Sequence, residues 1–82
     1  MATFTDLRFY SLNGYAILTE NNSSGNPVYV AEAVPSSIAS NPVWRIKKIS
    51  YDANGNFSKL RWADGVATFI KIWDDRATYT YG

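Results

Sequence analysis

The stretch of residues 43–65, VWRIKKISYDANGNFSKLRWADG, restricts the fold more than any other part of the chain. Two strand-like arms flank Asp52-Ala53-Asn54-Gly55-Asn56, long enough for a three-to-five-residue hairpin loop with Gly55 at the position that needs positive φ. The pattern predicts a β-hairpin. Its arms hold two of the three Trp and five of the eight basic residues, so core and charge are both expected to concentrate there.

The first arm carries a phase defect. Trp44 and Ile46 fall on one alternation, Ile49 and Tyr51 on the other. Because strand side chains alternate with period 2, a regular strand would push one of these pairs off the core face. One extra residue near Lys47-Lys48 would restore the phase as a β-bulge. Without it, Ile49 and Tyr51 would form an apolar patch for a partner. In the return arm Leu60 and Trp62 share a face, and the expected core set is Trp44, Ile46, Leu60 and Trp62.

Upstream, residues 3–12 and 15–19 are apolar runs separated by Asn13-Gly14, which predicts another hairpin. Residues 20–27, ENNSSGNP, contain turn formers and no apolar side chain, and read as an exposed loop. In the next run Val28, Val30, Glu32 and Val34 share one strand face, while Tyr29, Ala31 and Ala33 share the other, where small residues suit close approach by another layer. The Pro-bounded residues 35–42 are expected to cross the surface irregularly, with Ile38 as their anchor. Residues 66–75, VATFIKIWDD, fit either a helical turn through Phe69, Ile72 and Trp73 or a strand, and their Thr, Val and Ile content favours a strand followed by a tight turn. The closing RATYTY alternates Ala77, Tyr79 and Tyr81 on one face and predicts a terminal strand. No internal repeat stands out. The expected fold is all-β: residues 1–82 as a single domain, a small barrel or sandwich of six to seven short antiparallel strands.

A chain of 82 residues buries only roughly 60 to 65% of the surface its unfolded form exposes, so its stability on its own is marginal. It has neither Cys nor His, hence no disulfide and no zinc site of the usual ligands. Aromatic packing, at 16% Phe, Trp and Tyr, and oligomerisation remain as reinforcements.

Chemistry is not apparent. Without His, acid–base work would fall on seven carboxylates, of which only Asp74-Asp75 are adjacent, and strand neighbours point to opposite faces. Hydroxyl nucleophiles lack an activating base, and no Gly-rich run could cradle phosphate. The turn at Asp52 resembles the start of a calcium loop but lacks its terminal acid. The expectation is no enzyme, no catalytic residue, no cofactor and no metal. No basic start precedes an apolar run and no apolar stretch is long enough to span a bilayer, so neither a secretory signal nor membrane insertion is expected. Nucleic acid is a weaker expectation. Arg45, Lys47, Lys48, Lys59 and Arg61 interleave with aromatics, but alternation turns Arg45 and Lys47 away from Trp44 and Ile46, and the net charge is only +1.

Two resemblances bear on function. Residues 51–56 with Asp64-Gly65 resemble one tyrosine–aspartate repeat of large secreted toxin and wall-associated proteins; a lone copy cannot stack and reads as convergence on a good hairpin turn. Pro27-Val28-Tyr29-Val30-Ala31, Val43-Trp44-Arg45-Ile46-Lys47-Lys48-Ile49, Trp62-Ala63-Asp64-Gly65 and the run from Trp73-Asp74-Asp75-Arg76 to Tyr81 resemble a family of small, mostly uncharacterised proteins encoded by tailed bacteriophages. That resemblance implies a virion structural protein, a capsid decoration or a neck or tail component, assembled in the host cytoplasm. It would act by self-association as a homo-oligomer and by docking on other virion proteins. The rival expectation is a binding module for single-stranded nucleic acid or carbohydrate. Interaction residues are expected at Arg45, Lys47, Lys59 and Arg61 as a charged docking surface, and at Trp73, Asp75 and Arg76, where Arg76 would pair with Asp74 or Asp75 to fix the final turn.

Overall fold

The structure, a computed structural model, describes residues 8–10 and 14–81. Six strands run β1 Arg8–Tyr10, β2 Ala16–Asn21, β3 Pro27–Ala33, β4 Pro42–Tyr51, β5 Phe57–Trp62 and β6 Lys71–Ile72, followed by a 3-10 helix, Trp73–Thr78. β1 to β5 form an antiparallel meander in sequence order, and β6 pairs with the start of β4. The sheet is mostly antiparallel, as expected, but it is a single open sheet. It is neither the closed barrel nor the two-sheet sandwich that the run of short strands suggested. Among the described residues only β2 to β5 exceed three residues, so the sheet has fewer substantial strands than the six to seven expected.

The long hairpin forms where Asn54-Gly55 places it, with Lys48 opposite Arg61, Ile49 opposite Leu60 and Ser50 opposite Lys59. Gly55 adopts φ 82°, the left-handed region that costs other L-residues about 1 to 2 kcal/mol. Asp52 Oδ1 accepts the amides of Asn54 and Asn56, and Gly55 N donates to Asp52 O. The β2–β3 connection, expected only as a loop, is the same turn built a second time. Asn22 Oδ1 accepts the amides of Ser24 and Asn26, Gly25 N donates to Asn22 O, and Gly25 has φ 84°. Each turn is preceded by a register shift, at Glu20/Asn21 and at Ser50/Tyr51. The first hairpin is also present in the pairing of β1 with β2; residues 3–7 and 11–13, which carry the rest of its first arm and Asn13, lie outside the described residues.

The bulge expected at Lys47-Lys48 is absent. Pairing runs unbroken through both residues, and the shift falls next to the turn. One face of the sheet therefore carries Ala16 and Leu18 of β2, Ala31 and Ala33 of β3, and Trp44 and Ile46 of β4, all buried. Ile49, Leu60 and Trp62 lie on the other. Leu60 is 41% exposed, so Leu60 and Trp62 do not share the core with Trp44 and Ile46 as expected.

The C-terminal segment supplies the second layer of the core. Ala31 and Ala33 leave room beside the Trp44 indole, and Trp73, fully buried, joins the same cluster, with Tyr29, Tyr79 and Tyr81 packed against it. Trp44 Nε1 donates to Ile38 O at 2.9 Å, so Ile38 anchors its loop through its carbonyl while its side chain is 52% exposed. In place of the terminal strand expected from the alternation of RATYTY, residues 73–78 coil into the 3-10 helix, and strand pairing survives only as an Ala63–Tyr81 bridge. The ambiguous residues 66–75 divide accordingly between an irregular stretch, the two-residue β6 and the start of the helix.

Candidate functional site

Strand alternation sorts the basic residues of the hairpin onto two opposite faces. Arg45 and Lys47 stand on one, while Lys48, Lys59 and Arg61 stand on the other, so the single docking surface expected of Arg45, Lys47, Lys59 and Arg61 does not exist as one surface.

On the face away from the core, Arg45 donates from Nε to Glu32 Oε1 at 2.8 Å, with its NH2 nitrogen 2.7 Å from the same oxygen. Its guanidinium also lies 4.7 Å from the ring centre of Phe69, 5.4 Å from Tyr15 and 5.7 Å from Trp62. Lys47 Nζ lies 5.4 Å from the Trp62 ring. Around these charges Ile17, Val28, Val30 and Ile49 are half-buried and Leu60 is exposed. At one end of the face, Tyr15, Val34, Val43 and Phe69 line an apolar hollow of about 310 Å³. The face is largely apolar, and Glu32 offsets Arg45 while Lys47 keeps its positive charge against the Trp62 ring.

The opposite side of the hairpin, beyond the edge of the core, holds a cleft of about 400 Å³ lined by Lys48, Ser50, Lys59, Arg61, Tyr79 and Tyr81. Strand register dictates its floor. Lys48 and Ser50 are two apart on β4 and therefore point the same way, and their partners Arg61 and Lys59 do likewise on β5. The 3-10 helix returns the chain over the sheet and delivers the two tyrosines as a wall. Lys48 Nζ lies 5.7 Å from the Tyr29 ring and 5.9 Å from the Tyr81 ring. Tyr81 donates its hydroxyl to Arg76 O at 2.7 Å, and burial, followed by the neighbouring Tyr29 and Tyr79, pushes its phenol well above the usual tyrosine range.

Trp73, Asp75 and Arg76 have roles in holding the fold. Arg76 does not pair with Asp74 or Asp75. Its Nε donates to Glu20 Oε1 of β2 at 2.7 Å, its NH1 donates to Trp73 O at 3.1 Å, and its guanidinium covers the Trp73 ring at 4.3 Å. Asp75 is exposed and serves through its backbone carbonyl, which accepts from Thr78 Oγ1. Behind this segment Lys71 Nζ donates to Asp64 Oδ2 at 2.7 Å; that bond first, and the amide of Thr80 second, hold the Asp64 carboxyl below its ordinary value.

Lys48 and Ser50 were legible as cleft residues from the i, i+2 spacing shared with Lys59 and Arg61, once the turn fixed the register. Tyr79 and Tyr81 were not, because their approach depends on the 3-10 helix. Among the described residues no three carboxylates gather in a way that could hold a metal ion. Comparison with protein-family models, with curated proteins and with solved structures found no match to this chain.

Proposed function

We propose that this protein is a non-catalytic docking module that pairs with a second copy of itself through the open face of its sheet, as a structural component of a bacteriophage particle. The observation that carries the reading is one-sided burial: Trp44 and Ile46 are covered by the C-terminal segment, whereas Ile49, Leu60 and Trp62 on the reverse of the same strands are not. A sheet with two apolar faces is at home between two layers, and this chain supplies one. Packing two such faces at the usual spacing of about 10 Å would make a sandwich from two chains. The charge on the face permits a meeting of like with like. Glu32 neutralises Arg45 within each copy, and Lys47 lies against its own Trp62. The resemblance of four sequence motifs to small phage proteins suggests the setting.

Light scattering on the isolated protein is expected to give twice the chain mass of 9.2 kDa, and Leu60→Lys to return it to the monomer. A wild-type monomer at high concentration overturns self-association. Mass spectrometry of purified particles from the source phage tests the setting, and absence of the chain from them overturns it.

A further inference from the structure

The cleft contains three cations that no carboxylate of the described residues answers. Lys48 stands directly across from Arg61, with Lys59 one step further along opposite Ser50. Like charges directly opposed on an antiparallel pair, with Cβ atoms about 5 Å apart, destabilise it. Of the other described cations, Arg45, Lys71 and Arg76 pair with Glu32, Asp64 and Glu20, and Lys47 lies against the Trp62 ring on the opposite face. Among the described residues Lys48, Lys59 and Arg61 have no such partner, and all three line one cleft.

We propose that this cleft binds the phosphodiester backbone of a single-stranded nucleic acid. Arg61 and Lys59 form a line along β5, and Lys48 stands beside Arg61 on β4. Lys59 follows Arg61 by a step of about 7 Å along the strand, so each of the three long side chains can meet a separate phosphate of an extended chain. Ser50 adds a neutral hydroxyl donor between them. Tyr79 and Tyr81 border the line, and aromatic rings beside a cationic track are the means by which single strands are held without regard to sequence. The site lies on the side of the hairpin opposite Leu60, so it is independent of the self-association surface.

Fluorescence anisotropy of a short labelled oligothymidine across a salt series is the test. Three phosphate contacts predict that log K falls with log salt at a slope of about −2, from a loss of about 0.7 per phosphate neutralised on a single strand. Lys59→Gln and Arg61→Gln alter exposed side chains, so they are expected to keep the wild-type Trp fluorescence while each removes about 0.7 from the slope. Each should weaken low-salt binding about 3- to 10-fold. Lys47→Gln, on the other face, should leave slope and affinity unchanged. The proposal is overturned by absence of binding at low salt, by equal losses in Lys47→Gln, or by polyglutamate or duplex DNA competing as well as unlabelled oligothymidine.

Discussion

Arg76 Nε lies 2.7 Å from Glu20 Oε1, joining the C-terminal helix to β2 across 56 residues of sequence. Both side chains are largely shielded, at 16% and 29% exposure, so the pair is worth more than a surface ion pair. Arg76→Ala also uncovers the Trp73 ring and is expected to cost about 2 to 3 kcal/mol in urea unfolding. Glu20→Ala, which leaves the stacking in place, should cost less, and a double-mutant cycle between the two should return a favourable coupling.

The Asp64–Lys71 pair predicts acid sensitivity of a definite sign. A carboxyl whose native pKa is lowered contributes stability above its ordinary value of 3.8, and that contribution disappears as pH falls from there through the lowered native value. The unfolding midpoint should therefore drop below about pH 4. In Asp64→Asn the midpoint should be lower at neutral pH and fall less steeply in acid, as measured by thermal melts across a pH series.

The twin turns predict which substitutions are interchangeable. Asn22 performs with an amide oxygen what Asp52 performs with a carboxylate, so Asp52→Asn should be close to neutral. Asp52→Ala leaves two amides without their acceptor and should cost about 1 to 2 kcal/mol in denaturant melts. Gly55→Ala should cost about 1 to 2 kcal/mol through backbone strain alone, since no atom lies within 4 Å of where the added methyl would sit.

The two buried indoles should respond unequally to Phe. Trp44 Nε1 donates to Ile38 O, whereas Trp73 Nε1 is buried with no hydrogen-bond partner among the described residues. Trp44→Phe strands a carbonyl, while Trp73→Phe removes an unsatisfied donor. Equilibrium unfolding should place Trp44→Phe roughly 1 to 2 kcal/mol below Trp73→Phe.

The sequence showed the long hairpin through Asn54-Gly55 and half of the core through Trp44 and Ile46. It misplaced Leu60 and Trp62 for a physical reason. Alternation identifies the core only where the opposite face is polar, and β4 is apolar on one side at its start and on the other at its end. A bulge at Lys47-Lys48 was the economical way to reconcile the two, but the chain keeps its register and leaves Ile49 on the open face. The β2–β3 connection was read correctly as an exposed loop, but its likeness to the DANGN turn was not, although Asn22 and Gly25 carry the same chemistry as Asp52 and Gly55. In RATYTY the alternation is real but is overridden by Arg76 and Trp73, whose mutual stacking and bond to Glu20 need a coiled backbone. Of the candidate residues, Lys59 and Arg61 are found facing one cleft, and what completes it, Tyr79 and Tyr81, comes from beyond any local pattern.

The meander is made of neighbours in sequence, whereas the segment of residues 73–81 is fastened across the chain, by Arg76 to Glu20, by Tyr81 to Ala63 and by the Thr80 carbonyl to the Asp64 amide. It forms a latch over the core: an opening that released it while β2 to β5 stayed paired would uncover Trp44 and Ile46. The same residues that seal Trp44 and Ile46 from water also form the tyrosine wall of the cleft. Occupancy of the cleft and closure of the latch are therefore one linked equilibrium. A ligand gripping Tyr79 and Tyr81 would slow amide exchange at Ile46 and Ala63, residues it never touches.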